Sequence, residues 1–141
     1  MKRKGSAVWQ GGLKDGKGAV STDSGVLSGT QYSFGTRFEN GIGTNPEELI
    51  AAAHAACFSM ALSAQLGSAN LTPERIATVA TLSMDRLEAG WTITAAHLDV
   101  TAKVPGADPA AFETAASTAK ANCPVSRLLN ATITVEARLE T

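Results

Sequence analysis

The segment TNPEELIAAAHAACFSMALSAQLG, residues 44–67, decides the fold. Asn45 is suited to cap a helix, and Pro46 fits the first helical position. Glu48, three residues after Asn45, has the spacing of a capping box. Acid in the first turn also suits the helix dipole. This pattern predicts a helix from Pro46 to about Leu66, with Gly67 as its C-terminal stop. Apolar residues occur almost all the way round it, many of them alanines that let neighbouring backbones come close. A helix apolar on every face must be enclosed on every side.

Working outward from this helix, residues 6–10 and 18–22 read as short strands, and Gly25 and Gly29 mark loops. Residues 32–38 alternate, with Tyr32, Phe34, Thr36 and Phe38 on one side and Ser33, Gly35 and Arg37 on the other, the period of a half-buried strand. Beyond the helix, Thr72–Pro73–Glu74–Arg75 suggests a short helical turn. Residues 76–87 and 91–104 read as two strands joined at Glu88–Ala89–Gly90. Asp108 and Pro109 open a second helix, to about Ala121. Asn122–Cys123–Pro124 interrupts it, because the residue before proline is pushed out of helical geometry. A short turn to Leu129 follows, and Ile133, Val135, Ala137 and Leu139 alternate in a final strand.

The expected class is α+β with mostly antiparallel pairing, in a single domain spanning residues 1–141. Five or six strands in one sheet would cover one side of the long helix. A partner chain is expected to supply the remaining cover, which predicts an intertwined homodimer.

Twelve Lys and Arg against thirteen Asp and Glu leave a formal charge of −1. That balance argues against a nucleic-acid or acidic-membrane binder, which needs a basic stripe. Lys2, Arg3 and Lys4 read as a solvated end, with no apolar stretch close behind them to make a signal peptide. The run from Leu49 to Leu66 carries His54, Ser59, Ser63 and Gln65, which favours a core helix over a membrane span. A cytoplasmic location is the default expectation.

Two cysteines lie far apart in the chain. In a reducing compartment they are either a transient redox pair or two buried, inert thiols. Cys57 sits mid-helix among apolar neighbours, where burial raises a thiol pKa, so activity there requires a positive partner. Cys123 opens a short helical turn, whose N–H groups favour a thiolate. Arg37 is a candidate cation for that chemistry, or a solvent-facing arginine. Glu48 is occupied in capping, so Glu47 is the carboxylate free to hold Arg37 in a bidentate bond. Ten residues of helix separate Glu47 from Cys57, roughly 15 Å along the axis. If these groups act together, Cys57 of one chain meets Arg37 and Glu47 of the other. His54, Cys57, His97 and Cys123 could supply a zinc site, but they lack the close-spaced ligand couples such sites show. No G-x-S-x-G elbow supports a hydrolase.

The segments Gly43–Thr44–Asn45–Pro46–Glu47–Glu48–Leu49–Ile50 and Ala53–His54–Ala55–Ala56–Cys57–Phe58–Ser59–Met60–Ala61 resemble the core of the OsmC/Ohr family, the osmotically inducible protein C and organic hydroperoxide resistance proteins. Asn122–Cys123–Pro124–Val125–Ser126 resembles that family's second cysteine motif. Residues 18–27 and Thr36–Arg37–Phe38–Glu39 are similar to the OsmC branch in particular. The resemblance spans essentially the whole chain, with no departure at the functional positions. It implies mostly antiparallel sheets wrapped around long central helices in a homodimer with two interfacial active sites. It also implies a thiol peroxidase acting on organic hydroperoxides and more weakly on hydrogen peroxide. Carried over by motif, Cys57 is the peroxidatic cysteine, Cys123 the resolving one, and Arg37 and Glu47 their polar partners. The resemblance implies no metal or flavin cofactor, and reduction by a dithiol such as a lipoylated protein. Phe58 and Met60, beside Cys57, are candidates to favour bulky alkyl peroxides. The competing reading is a non-enzymatic binder of a lipid-like molecule at the same apolar interface.

Overall fold

Strands β1 (Gly5–Gln10) and β2 (Lys17–Thr22) form an antiparallel hairpin, and β3 (Thr30–Tyr32) adds to the far edge of β2. The computed structural model describes residues 1–140. The chain divides into two compact units, Met1–Leu49 and the remainder from Ile50 onward. In the first unit Trp9, Gly18 and Tyr32 stand in register across the three strands. A Cβ on Gly18 would lie 2.5 Å from the Tyr32 ring and 2.8 Å from Trp9, so glycine is what lets the two rings close over the sheet. Their centroids are 5.6 Å apart, within the range of favourable aromatic pairs.

Residues 32–38 are not one strand. β3 ends at Tyr32, and Phe34–Phe38 forms helix α1. Ser33 caps it: its hydroxyl accepts from the Thr36 N–H (3.3 Å), and the Thr36 hydroxyl accepts from the Ser33 N–H (2.8 Å). Two otherwise orphaned donors are thereby satisfied. Phe34 and Phe38 fit an alternating strand, but they are also one helical turn apart, and their rings meet at 5.0 Å.

Helix α2 runs unbroken over Pro46–Ser68. Asn45 Oδ1 accepts from the Glu48 N–H at 2.8 Å, as its capping role requires. The stop differs from expectation. Gly67 lies inside the helix, and Asn70 takes the left-handed position at φ 57°. The N–H groups of Leu71 and Asn70 return to the carbonyls of Leu66 (2.9 Å) and Gly67 (3.0 Å), a Schellman closure. By length and composition alone α2 is apolar enough to cross a membrane. One stripe, His54, Phe58, Leu62 and Leu66, is instead buried in the core of the second unit. Other apolar positions are open, Met60 to 76 %.

In the second unit β4 (Arg75–Leu87) and β5 (Gly90–Lys103) form a long antiparallel hairpin with a bulge at Ser83/Met84. No helical turn forms at residues 72–75. The Glu74 N–H donates to the Lys103 carbonyl and the two side chains pair at 2.8 Å, so strand pairing overrides the local proline signal. Helix α3 (Pro109–Asn122) is capped by Asp108, which accepts from the Ala111 N–H, and α4 (Pro124–Leu128) follows at once. This crossover lets β6 (Thr132–Glu140) return parallel to β5, whereas the other named strands of the described residues pair antiparallel. The six strands therefore make two three-stranded sheets, one in each unit, where a single sheet was expected. Turn signals locate strands but do not assign their partners. Leu98, Val100 and Ala102 of β5 face Phe58 and Leu62 of α2 and Phe112 and Ala119 of α3 in the core.

Candidate active site

Arg37 and Glu47 are brought together by Asn45. Its Oδ1 caps α2, and its Nδ2 donates to the Thr36 carbonyl at 3.0 Å, which ties α1 to the start of α2. Arg37 Nε donates to both Glu47 oxygens at 3.1 Å, and Nη2 donates to Oε1 at 2.6 Å. Such paired charge-assisted bonds fix direction as well as add energy. The Arg37 guanidinium also lies 5.2 Å from the Phe38 ring centroid. Arg37 therefore sits on a short helix, not on a strand face as its alternating context suggested.

A cavity of about 260 Å³ opens beside Arg37, walled by Trp9, Leu13, Tyr32, Phe34 and Phe38. Phe58 and Met60 do not provide such a wall in this chain. Phe58 is wholly buried in the core and Met60 is exposed. Only the aromatic crowding of residues 32–38, read with Trp9 across the hairpin, could have pointed to this cavity beforehand.

Cys57 and Cys123 meet in the second unit. Cys123 is both the C-cap of α3 and the N-cap of α4, held where Pro124 ends one helix and starts the next. Its Sγ lies 2.8 Å from Cys57 Sγ, with both cysteines free. A disulfide is about 2.05 Å long, so bond formation needs only a short approach. Cys123 is fully buried and Cys57 partly so. Burial pushes the Cys57 thiol pKa up, and a proton shared with the adjacent Cys123 sulfur adds to the rise, while the Val125 amide pulls it down.

The Cys123 amide is bonded to the Ala119 carbonyl, and the Val125 amide at the start of α4 favours the Cys57 thiolate. One turn along, His54 Nε2 is 2.8 Å from Ser126 Oγ. Burial lowers the His54 pKa. His97, the other candidate zinc ligand, bonds Thr134 Oγ1 at 2.6 Å. Among the described residues no group of three or more His, Cys, Asp or Glu could hold a metal. The four expected site residues thus form two pairs, Arg37–Glu47 in the first unit and Cys57–Cys123 in the second.

A family profile described as OsmC-like protein matches residues 38–138. The chain is 54% identical over 138 residues to the peroxiredoxin OsmC of Escherichia coli strain K12, covering 98% of this chain and 96% of that one. The same identity and coverage hold for the peroxiredoxin OsmC of Shigella flexneri. Among solved structures, the organic hydroperoxide resistance protein OhrB of Bacillus subtilis superposes with a TM-score of 0.68 at 22% identity, covering 97% of this chain and 98% of that one. An OsmC-like protein from Mycoplasma pneumoniae reaches 0.78 at 14% identity, covering 100% and 99%, a likeness of fold alone. From the profile match and the near full-length identity to peroxiredoxins, the chain belongs to the OsmC family.

Proposed function

We propose that this chain is a cysteine-based peroxidase that reduces organic hydroperoxides, and hydrogen peroxide more weakly, to the alcohol or water. The observation that carries the reading is the 2.8 Å approach of Cys123 Sγ to Cys57 Sγ. The Cys57 thiolate attacks the outer peroxide oxygen, the O–O bond breaks, and the departing alkoxide takes a proton and leaves as the alcohol. Cys57 is now a sulfenic acid. The Cys123 sulfur attacks it, the S–O bond breaks, water leaves, and a Cys57–Cys123 disulfide forms. An external dithiol, such as a lipoyl group, restores both thiols and becomes a disulfide itself.

The raised Cys57 pKa calls for a cation, and Arg37, aimed by Glu47, suits that task. The unbroken α2 spaces Glu47 and Cys57 by ten residues, roughly 15 Å of rise. We therefore assign each site to two chains of a homodimer: Cys57 and Cys123 from one, Arg37 and Glu47 of the partner subunit from the other. The open apolar faces of α2 suit burial against that second copy. The aromatic cavity beside Arg37 suits the organic part of the peroxide. A cytoplasmic, reducing location fits a thiol pair that must be recycled.

The test is a thiol titration with tert-butyl hydroperoxide. The wild-type protein should lose two thiols per peroxide consumed. Cys123→Ser should lose one and retain a trappable sulfenic acid, and Cys57→Ser should consume none. Full consumption by Cys57→Ser, or no thiol loss by the wild type, removes the assignment.

A further inference from the structure

Residues His54 and Ser126 take no part in the chemistry above, yet they occupy the same two helices as the thiols. His54 is fully buried, on the stripe of α2 that otherwise carries Phe58, Leu62 and Leu66. Its Nε2 meets Ser126 Oγ at 2.8 Å, while Nδ1 is buried without a partner. An orphaned buried N–H is rarer than an under-satisfied acceptor. The favoured tautomer therefore carries its proton on Nε2, which donates to Ser126. Burying a polar ring with one nitrogen unsatisfied is costly and calls for an explanation.

The His54–Ser126 bond holds α4. This helix has five residues, and no side chain caps its start. So short a helix has little stability of its own. It nevertheless places Cys123 at its head, with Sγ 2.8 Å from Cys57 Sγ. His54 lies three residues before Cys57, and Ser126 three after Cys123. One helical turn on each side thus carries a sulfur contact and a hydrogen bond, and together they brace α4 against α2.

We infer that His54 and Ser126 are positioning residues for the resolving step, the His54–Ser126 bond keeping Cys123 within reach of oxidised Cys57. This rests on the peroxidase reading. Without the brace α4 swings more freely, and the Cys57 sulfenate survives longer. A second hydroperoxide can then oxidise it: its O–O bond breaks, one oxygen adds to sulfur to give the sulfinate, and the alcohol leaves.

The experiment counts sulfinic acid against disulfide by intact mass after stepwise addition of tert-butyl hydroperoxide to full-length wild type, Ser126→Ala, Ser126→Thr and Ser126→Val. Losing one hydrogen bond of ordinary strength corresponds to about a three- to tenfold higher sulfinate-to-disulfide ratio in Ser126→Ala. Ser126→Thr keeps the hydroxyl and should restore the wild-type ratio, whereas Ser126→Val has the same branched shape without it and should not. Should Ser126→Ala unfold, the threonine–valine pair still isolates the hydroxyl. A purely structural role would lower the melting temperature without moving this partition. Equal ratios for threonine and valine, or an unchanged ratio in folded Ser126→Ala, overturn the inference. A wild type that loses no thiols overturns the peroxidase reading itself, and so is told apart.

Discussion

Subunit complementation tests the proposed shared site most directly. Cys57→Ser removes the nucleophile and Arg37→Ala removes the cation, so each homodimer should be nearly inactive. Random exchange between equal amounts makes half of the dimers mixed. In each mixed dimer, one site joins Cys57 of the Arg37→Ala chain to Arg37 of the Cys57→Ser chain, and the other site has neither group. Half of the dimers with half of their sites intact give about one quarter of wild-type activity per subunit. The figure follows from the helix. Glu47 and Cys57 are ten residues apart on an unbroken α2, and Glu47 holds Arg37, so the cation travels with Glu47.

The two chains would be co-expressed with different tags, and the mixed dimer confirmed by native mass. The readout is the initial rate of tert-butyl hydroperoxide consumption under excess dithiol. If one chain supplied all four groups, every site in a mixed dimer would lack one of them. Recovery no greater than that of the two parents, with mixed dimers present, therefore refutes the shared site and the helix argument behind it.

The buried His54 predicts acid sensitivity. Its folded pKa lies below the ordinary 6.5, because burial disfavours the charged ring. Between the two values the unfolded state binds more protons. The His54 contribution to stability is therefore complete above about pH 6.5 and is lost as pH falls from there through the folded pKa. Urea midpoints should decline across that window in the wild type and less so in His54→Gln, and identical slopes would contradict the assignment. In the core, Leu62→Ala removes a wholly buried side chain from beneath β5. It should cost about 2–5 kcal/mol, read as a shifted urea midpoint at unchanged slope. A cost near zero would mean that α2 does not pack as described.

Local signals were legible where local interactions decide. Asn45–Pro46 announces the start of α2, and Asp108–Pro109 that of α3, because caps act within one turn. The Arg37–Glu47 pair was expected on the ground that Glu48 is occupied in capping, yet Asn45 engages only the Glu48 backbone N–H, so the pairing held without that reason. Residues 32–38 were ambiguous for a physical reason: Phe34 and Phe38 satisfy period two and period four alike. A Ser33–Thr36 pair, with threonine in place of the usual Glu or Gln, settles the matter for a helix. Strand partners were not legible. The parallel return of β6 beside β5 depends on a crossover through α3 and α4 that no turn residue encodes. Cys57 and Cys123 are 66 residues apart, and motif resemblance, not spacing, linked them. The Val125 N–H and the His54–Ser126 bond depend on where α4 docks, which no sequence pattern specifies.

In the proposed site, the electrostatics of the two pairs give each a task that the other does not perform. Around Cys57, burial and the neighbouring thiol favour the protonated sulfur, and one amide opposes them. In the proposed site, the chain that carries Cys57 thus orients it without fully activating it. Arg37 and Glu47 nearly cancel in net charge, so a general positive field is not what this pair supplies. Arginine has five N–H donors in a rigid fork. Glu47 engages the donor on Nε and one on Nη2, which leaves those on Nη1 and the second on Nη2 pointing elsewhere in a fixed direction. Directed donors stabilise a sulfur anion and the oxygen that departs as the O–O bond breaks, because they stand where charge develops. A thiol held mostly protonated until such donors reach it is spared wasteful oxidation in an unassembled chain. In the proposed site, dimer formation therefore acts as the activating step as well as the covering of α2.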